Sequence, residues 1–131
     1  MSRVVINKLN KSYNDNLVVR DFSIEINDGG FITFLGPSGC GKTTNLRMIA
    51  GFIRPTSGEI IIGDKTVSCP EKNIFIQPED RKLGLVFHTY AVWPHMNVFN
   101  NIPYPLKIKK ESQKVIEKTV DEILELVDMR E

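Results

Sequence analysis

The chain has 131 residues, of which 41% are hydrophobic and 25% are charged, and its formal net charge is +1. This length suits one domain, and so small a charge gives no global field that would attract nucleic acid or an anionic membrane. No run approaches the roughly 20 apolar residues of a membrane span, and two cysteines suggest no disulfide framework. We therefore expect a soluble domain in a reducing cytosolic compartment, with any membrane role peripheral.

The first third of the chain predicts a hairpin, a buried strand and a helix. "SRVVINKLNKSY" and "LVVRDFSIEI" alternate like strands, and the turn formers of residues 14–16 between them favour antiparallel pairing. "FITFL" is almost wholly apolar, which is typical of a strand buried on both faces. A helix is then predicted from Lys42, with Gly51 or Pro55 ending it. Its apolar face consists of Leu46, Ile49, Ala50 and Ile53.

The remainder of the chain predicts two more strands and a final helix. "GEIIIG" and "LGLVF" have the composition of strands, the second of them buried, and residues 64–82 between them favour irregular surface. Residues 88–106 mix aromatics and prolines without a clear period. The segment Glu111 to Arg130 predicts an amphipathic helix. Its apolar stripe consists of Val115, Ile116, Val120, Ile123, Leu124 and Val127.

Between the "FITFL" strand and its helix lies a glycine-rich loop with the pattern G-x-x-x-x-G-K-[ST]. It comprises Gly36, Pro37, Ser38, Gly39, Cys40, Gly41, Lys42 and Thr43. Backbone N–H groups in such a loop converge into an anion site, and the helix N-terminus adds its positive dipole end. Lys42 can reach the β- and γ-phosphates of a nucleotide, the Thr43 hydroxyl can ligate Mg²⁺, and Thr44 can bond an inner phosphate. The pattern predicts a nucleoside triphosphate site.

Two plainer interpretations accompany this pattern. The loop could be a glycine-rich turn that carries a surface lysine, although its strand and helix flanks favour the phosphate site. Cys40 could be a reactive thiol at a helix N-terminus or a small side chain that fits the loop, and we favour the second.

Two longer blocks, "GPSGCGKTTNLRMIAGFIRPTSGEIIIGD" and "RKLGLVFHTYAVWPHMNVFNNIPYPLKIKK", resemble the N-terminal part of an ABC transporter ATPase subunit. The resemblance covers nearly the whole chain and is strongest to importers of the maltose, polyamine and ferric-iron types. It implies an α/β fold of the P-loop NTPase type, with an antiparallel β subdomain and a parallel core sheet flanked by helices. Residues 1–131 would form the N-terminal portion of that domain, ending before its signature motif and its Walker B strand.

The resemblance also assigns roles to residues outside the loop. Tyr13 matches the aromatic residue that stacks on adenine, and Val18 matches the apolar residue beside it. His88 stands where the family has a glutamine that senses the γ-phosphate. It is a natural variant, an engineered change or an adequate substitute for that glutamine. A role of His88 as a metal ligand is the less favoured interpretation. The segment Tyr90–Asn101 corresponds to the part that contacts the permease. Trp93 and His95 within it are interpreted as packing or docking surface.

The function that the resemblance implies is the ATP-binding part of an importer's motor subunit. Such a subunit uses ATP and Mg²⁺, and it pairs with a second copy and with permease subunits at the inner face of the cell membrane.

The family's catalytic carboxylates and signature motif are not found in the sequence. Asp128 is rejected as the metal carboxylate because its neighbours have helical spacing. Taken alone the chain would then be catalytically inactive, and we expect it to self-associate or to be unstable. A non-catalytic nucleotide-binding module remains an alternative, and a soluble nucleotide kinase or GTPase is less favoured. The transported solute cannot be inferred.

Overall fold

The computed structural model describes residues 2–87, 89 and 91–129, and the chain divides into two compact units, Met1–Val86 and Phe87–Glu131. Each unit is described by itself below. None of the helices in the described ranges combines the length and the apolar character that crossing a bilayer requires.

The first unit contains a five-stranded antiparallel sheet with the strand order β2-β1-β3-β4-β5. The strands are β1 (Val4–Tyr13), β2 (Asn16–Ile26), β3 (Ser57–Ile62), β4 (Lys65–Cys69) and β5 (Ile74–Phe75). The predicted hairpin is confirmed, because β1 pairs with β2 from Val4 opposite Ile26 to Tyr13 opposite Asn16. The "GEIIIG" strand is also confirmed as β3, which pairs with the other edge of β1.

The sheet buries one apolar face against helix α1 (Lys42–Ala50). The core cluster consists of Ile6, Leu9, Val19, Met48, Ile60 and Val67. Gly51 ends the helix as predicted, in the left-handed region with φ of 92°. The predicted apolar face is wrong at Leu46, which is 46% exposed, whereas Met48 is completely buried. The helix therefore packs against the sheet through a face that includes Met48 and excludes Leu46.

A buried arginine joins the end of α1 to the sheet. The guanidinium of Arg81, which is 4% exposed, donates to the carbonyl oxygens of Met48 and Ile49 at 2.8 Å each. It also donates to the carbonyls of Ile76 at 2.8 Å and Val67 at 3.3 Å. Burial lowers the pKa of this guanidinium, but an arginine remains charged at neutral pH. Its positive charge thus lies at the negative end of the helix dipole.

Two sequence expectations about strands are wrong in this structure. Residues 31–35 and 83–87, the "FITFL" and "LGLVF" runs, have no regular secondary structure and are not paired as strands with any other described residue. Phe31 is 92% exposed and Val86 is 96% exposed, so the expected parallel core sheet is not formed within the described residues. An apolar run becomes a buried strand only when neighbouring strands satisfy its backbone groups, and apolar composition alone does not supply them.

The segment 64–82 is more regular than its sequence indicates. It forms β4 and β5, together with single 3₁₀ turns at Pro70–Lys72 and Pro78–Asp80. The prolines that favour irregular surface occupy the first positions of these turns, where a missing N–H costs nothing. These prolines therefore begin the turns that follow short strands, and they do not prevent the strands from forming.

The second unit is helical where the structure describes it. Its helices are α2 (Val98–Asn101), α3 (Tyr104–Ile108) and α4 (Gln113–Leu126). The predicted final helix is confirmed as α4, with shorter bounds, and its predicted last residue, Arg130, lies outside the described residues. Ile116 and Leu124 of the predicted stripe are buried, whereas Val115 and Val127 are exposed.

Candidate functional site

The glycine-rich loop leads directly into α1, and two of its glycines lie close to other atoms of the chain. Gly41, which precedes the first helical residue, has φ of 91°, and a Cβ there would lie 3.0 Å from the carbonyl oxygen of Val18. At Gly36 a Cβ would lie 2.7 Å from Sγ of Cys40. Gly41 therefore needs glycine for its left-handed backbone and its close approach to Val18. Gly36 needs glycine for its φ of 156°, because the Cys40 thiol can move aside from a Cβ.

The ammonium group of Lys42 lies inside the curve of this loop. Its Nζ donates to the carbonyl oxygens of Gly36 and Pro37 at 2.7 Å each, and Sγ of Cys40 lies 3.5 Å away. Within the part of the chain that the structure describes, no carboxylate forms an ion pair with Lys42. Neutral carbonyls are weaker partners for an ammonium than a phosphate is, so an entering polyanion can displace them.

The first turn of α1 favours an anion. It contains no acidic residue, and no side chain caps its N-terminus. The early N–H groups of a helix have no intrahelical acceptor, and the dipole places positive potential at this end. Thr43 is exposed and Thr44 half-buried on the same turn. Two hydroxyls therefore stand beside Lys42, as the sequence predicts.

The hairpin lies against the loop. Val18 of β2 is half-buried, and a Cβ at Gly41 would lie 3.0 Å from its carbonyl oxygen and 3.2 Å from the side-chain Cγ2 of Val19. Tyr13, at the end of β1, is 46% exposed. The structure thus brings Val18 to the phosphate loop and leaves the Tyr13 ring accessible at the end of the same hairpin.

Two sequence-predicted residues, His88 and Tyr90, lie outside the described residues. Asp128 follows the end of α4 with φ of 54°, and its N–H donates to the carbonyl oxygen of Glu125 at 3.2 Å. It belongs to the turn that ends a helix, so its rejection as the end of a metal-binding strand is confirmed. In the described part of the chain, no group of three His, Cys, Asp or Glu side chains could hold a metal ion.

Sequence reasoning missed the residue that organises the segment after His88. The side chain of Asn101 accepts from the N–H of Trp93 at 2.7 Å and donates to the carbonyl oxygens of Met96 and Asn97 at 2.9 and 3.0 Å. The Trp93 ring packs against Tyr104 with centroids 5.0 Å apart and against His95 at 6.1 Å. Trp93 thus makes ring contacts within its own segment while it stays 45% exposed, and the interpretation of Trp93 and His95 as packing or docking surface stays a prediction. An asparagine that bonds a preceding loop carries no local spacing signal, which is why the sequence did not reveal it.

Sequence comparison identifies relatives along most of the chain. The profile of the ABC transporter family matches residues 19–131. The trehalose/maltose import ATP-binding protein MalK of Thermococcus litoralis is 50% identical over 121 residues, which are 92% of this chain and 32% of that protein. The spermidine/putrescine import ATP-binding protein PotA of Fusobacterium nucleatum is 42% identical over 123 residues, 94% of this chain and 31% of that protein. The chain thus spans about a third of the length of these relatives.

A solved structure has the same fold. It is the dimeric structure of a post-hydrolysis state of the ATP-binding cassette MJ0796 bound to ADP and Pi. It aligns with a TM-score of 0.79 and 26% identity, and the match covers 98% of this chain and 58% of that one. The fold of this chain therefore corresponds to part of a larger ABC ATPase chain.

Proposed function

Because the chain belongs to the ABC transporter family, we propose that it carries the phosphate-binding part of the nucleotide-binding domain of an importer's ATPase subunit. The observation that carries this proposal is the position of Lys42, whose ammonium lies within 2.7 Å of two loop carbonyls at the N-terminus of a helix without acidic residues in its first turn. A cation held by weak partners beside unsatisfied N–H groups favours a polyanionic ligand.

The triphosphate of ATP would bind across residues 36–44. The amides of the loop and of the first helical turn would donate to the α- and β-phosphates, and the Thr44 hydroxyl would add a bond to an inner phosphate. Lys42 would exchange its two carbonyl partners for β- and γ-phosphate oxygens, which form stronger, charge-assisted bonds. The loop glycines keep side chains out of the volume that the phosphates need.

Mg²⁺ would enter with the nucleotide. The exposed hydroxyl of Thr43 is the one protein ligand that we propose for it, and this fits a cation that usually keeps several waters and is bound through phosphates and one or two side chains. The ion would neutralise phosphate charge during hydrolysis. A role for His88 at the γ-phosphate or the metal stays a prediction from the resemblance.

The adenine base would stack on the exposed ring of Tyr13, with Val18 providing an apolar contact beside it. The position of Val18 against Gly41 supports this, because it joins the base side of the site to the phosphate loop. We propose that hydrolysis in the parent protein requires a second copy. Residues 90–101 would contact permease subunits, which would hold the protein at the cytoplasmic face of the membrane.

Thermal unfolding with and without ATP and Mg²⁺ tests this function. At a nucleotide concentration 100 times its dissociation constant, binding should add about 2.7 kcal/mol of stability. Lys42→Ala should abolish this gain, whereas Lys114→Ala, at an exposed position on α4, should keep it. A stability gain of equal size in both variants would contradict the proposed role of the loop.

A further inference from the structure

The side chain of Lys11 lies over the ring of Tyr13. Its Nζ is 4.8 Å from the ring centroid, within the distance at which an ammonium is attracted to an aromatic face. The same Nζ donates to the carbonyl oxygen of Arg54 at 2.9 Å. Lys11 is half-buried and Tyr13 is exposed, so one face of the ring is covered by the ammonium while much of the ring remains accessible.

Two backbone contacts fix the same end of β1. The N–H of Thr56 donates to the carbonyl oxygen of Asn10 at 2.9 Å, and the N–H of Ser12 donates to the Thr56 hydroxyl at 3.0 Å. Residues 54–56 follow the end of α1, and α1 begins at Lys42. The strand end that carries Tyr13 is therefore attached, on both sides of Lys11, to the segment that leaves the phosphate-loop helix.

We propose that Lys11 is a positioning residue for the nucleotide base. Its ammonium holds the Tyr13 ring by one face and anchors it to Arg54, so that the other face is presented to the base in a fixed orientation. This inference rests on the proposed function and adds to it a residue that touches neither the phosphates nor the base. A ring ordered before binding loses less side-chain entropy when the base stacks on it, which favours affinity.

Two ligands separate this role from a structural one. ATP has a base and a triphosphate, whereas inorganic tripolyphosphate has a similar charge and no base. In the purified full-length protein, Lys11→Met, which keeps an unbranched apolar stem, should weaken ATP binding roughly three- to tenfold. Tripolyphosphate binding should change less than about twofold, because salt screens the effect of the lost charge on the phosphates. ATP binding falls further, because only ATP has a base that stacks on the ring.

Three further variants complete the experiment. Lys11→Arg should restore ATP affinity to within about twofold of the original, because a guanidinium also stacks on an aromatic face. Tyr13→Ala should weaken ATP binding by itself. In the Tyr13→Ala background, Lys11→Met should have no further effect, because the ring through which it acts is gone. The melting temperatures of the unliganded variants check that each one folds.

Each contrary outcome has a distinct meaning. Equal weakening of ATP and tripolyphosphate by Lys11→Met would overturn the inference and assign Lys11 a general electrostatic or structural role. An unchanged ATP affinity in Lys11→Met, together with a loss in Tyr13→Ala, would overturn it while leaving the proposed function intact. If the unaltered protein bound neither ligand, the proposed function would fail and this inference with it.

Discussion

Arg81 shows how much of this fold depends on one side chain. Its guanidinium donates to four backbone carbonyls, two of them at the end of α1, and its Cζ lies 5.1 Å from the Phe75 ring centroid. Carbonyls at a buried helix end must find a donor, and α1 ends against the sheet where water has little access. No periodic pattern indicates this role, because the acceptors are backbone atoms of residues far apart in the chain.

Replacing this arginine tests the role at the residue scale. Arg81→Met removes all four donors and leaves buried carbonyls unpaired, so we expect the free energy of unfolding to fall by about 2–4 kcal/mol. Urea denaturation measures this loss. Lys82→Met removes a neighbouring exposed charge and should change the free energy by less than about 0.5 kcal/mol. Equal losses in the two variants would show that the carbonyl bonds contribute little.

At the scale of the element, the end of α1 depends on a glycine for two separable reasons. Gly51 has φ of 92°, and a Cβ there would lie 2.6 Å from Nε of Arg81. Gly29 also has a left-handed backbone, with φ of 73°, but a Cβ there would have no heavy atom within 4 Å. Alanine at position 29 therefore has only the backbone cost of the left-handed conformation, whereas alanine at position 51 also collides with a buried side chain.

A pair of alanine substitutions separates these costs. Gly29→Ala should lower the free energy of unfolding by about 1 kcal/mol, the cost of a left-handed residue with a Cβ. Gly51→Ala should lower it by at least about 1 kcal/mol more, because the guanidinium must move and lose carbonyl bonds. Chemical denaturation of the two variants gives the comparison. The packing argument would be wrong if Gly51→Ala were no more destabilised than Gly29→Ala.

The sequence correctly predicts those helices and strands whose pattern of apolar and turn-forming residues is complete within the element. The hairpin, β3, α1 and α4 follow from alternation, turn formers and helical spacing, each of which is complete within the element. The runs at 31–35 and 83–87 were predicted as strands and are not, because a strand depends on partners that the run itself does not contain. β4 and β5 were missed because five- and two-residue strands offer too few positions for a period to appear.

The candidate site likewise contains residues that a local motif predicts and contacts that no local pattern indicates. The glycine-rich loop is a contiguous motif, so its candidate residues can be named from the sequence alone, and the structure adds the contacts of Lys42. The contacts of Lys11 with Tyr13 and Arg54, and those of Asn101, could not be predicted from spacing. They join residues whose separation in the chain varies from two to 43.

At the scale of the whole molecule, the exposed apolar runs predict association of the 131-residue chain. Phe31 and Leu35 are 92% and 89% exposed, and the run that contains them is not paired as a strand with any other described residue. We expect sedimentation to detect oligomers at micromolar concentration, and Leu35→Lys to reduce their fraction. Gln113→Lys adds the same charge at a polar position of α4 and should leave association unchanged. A monomer that unfolds sharply without ligand would contradict this expectation.

The central claim is that the loop before α1 holds the phosphates of a nucleotide. A crystal structure with a non-hydrolysable ATP analogue and Mg²⁺ tests it most directly. We predict phosphate oxygens within hydrogen-bond distance of the amides of residues 39–44, with Nζ of Lys42 moved from the Gly36 and Pro37 carbonyls onto the β- and γ-phosphates. An analogue bound elsewhere, with Nζ of Lys42 still 2.7 Å from both carbonyls, would contradict the claim.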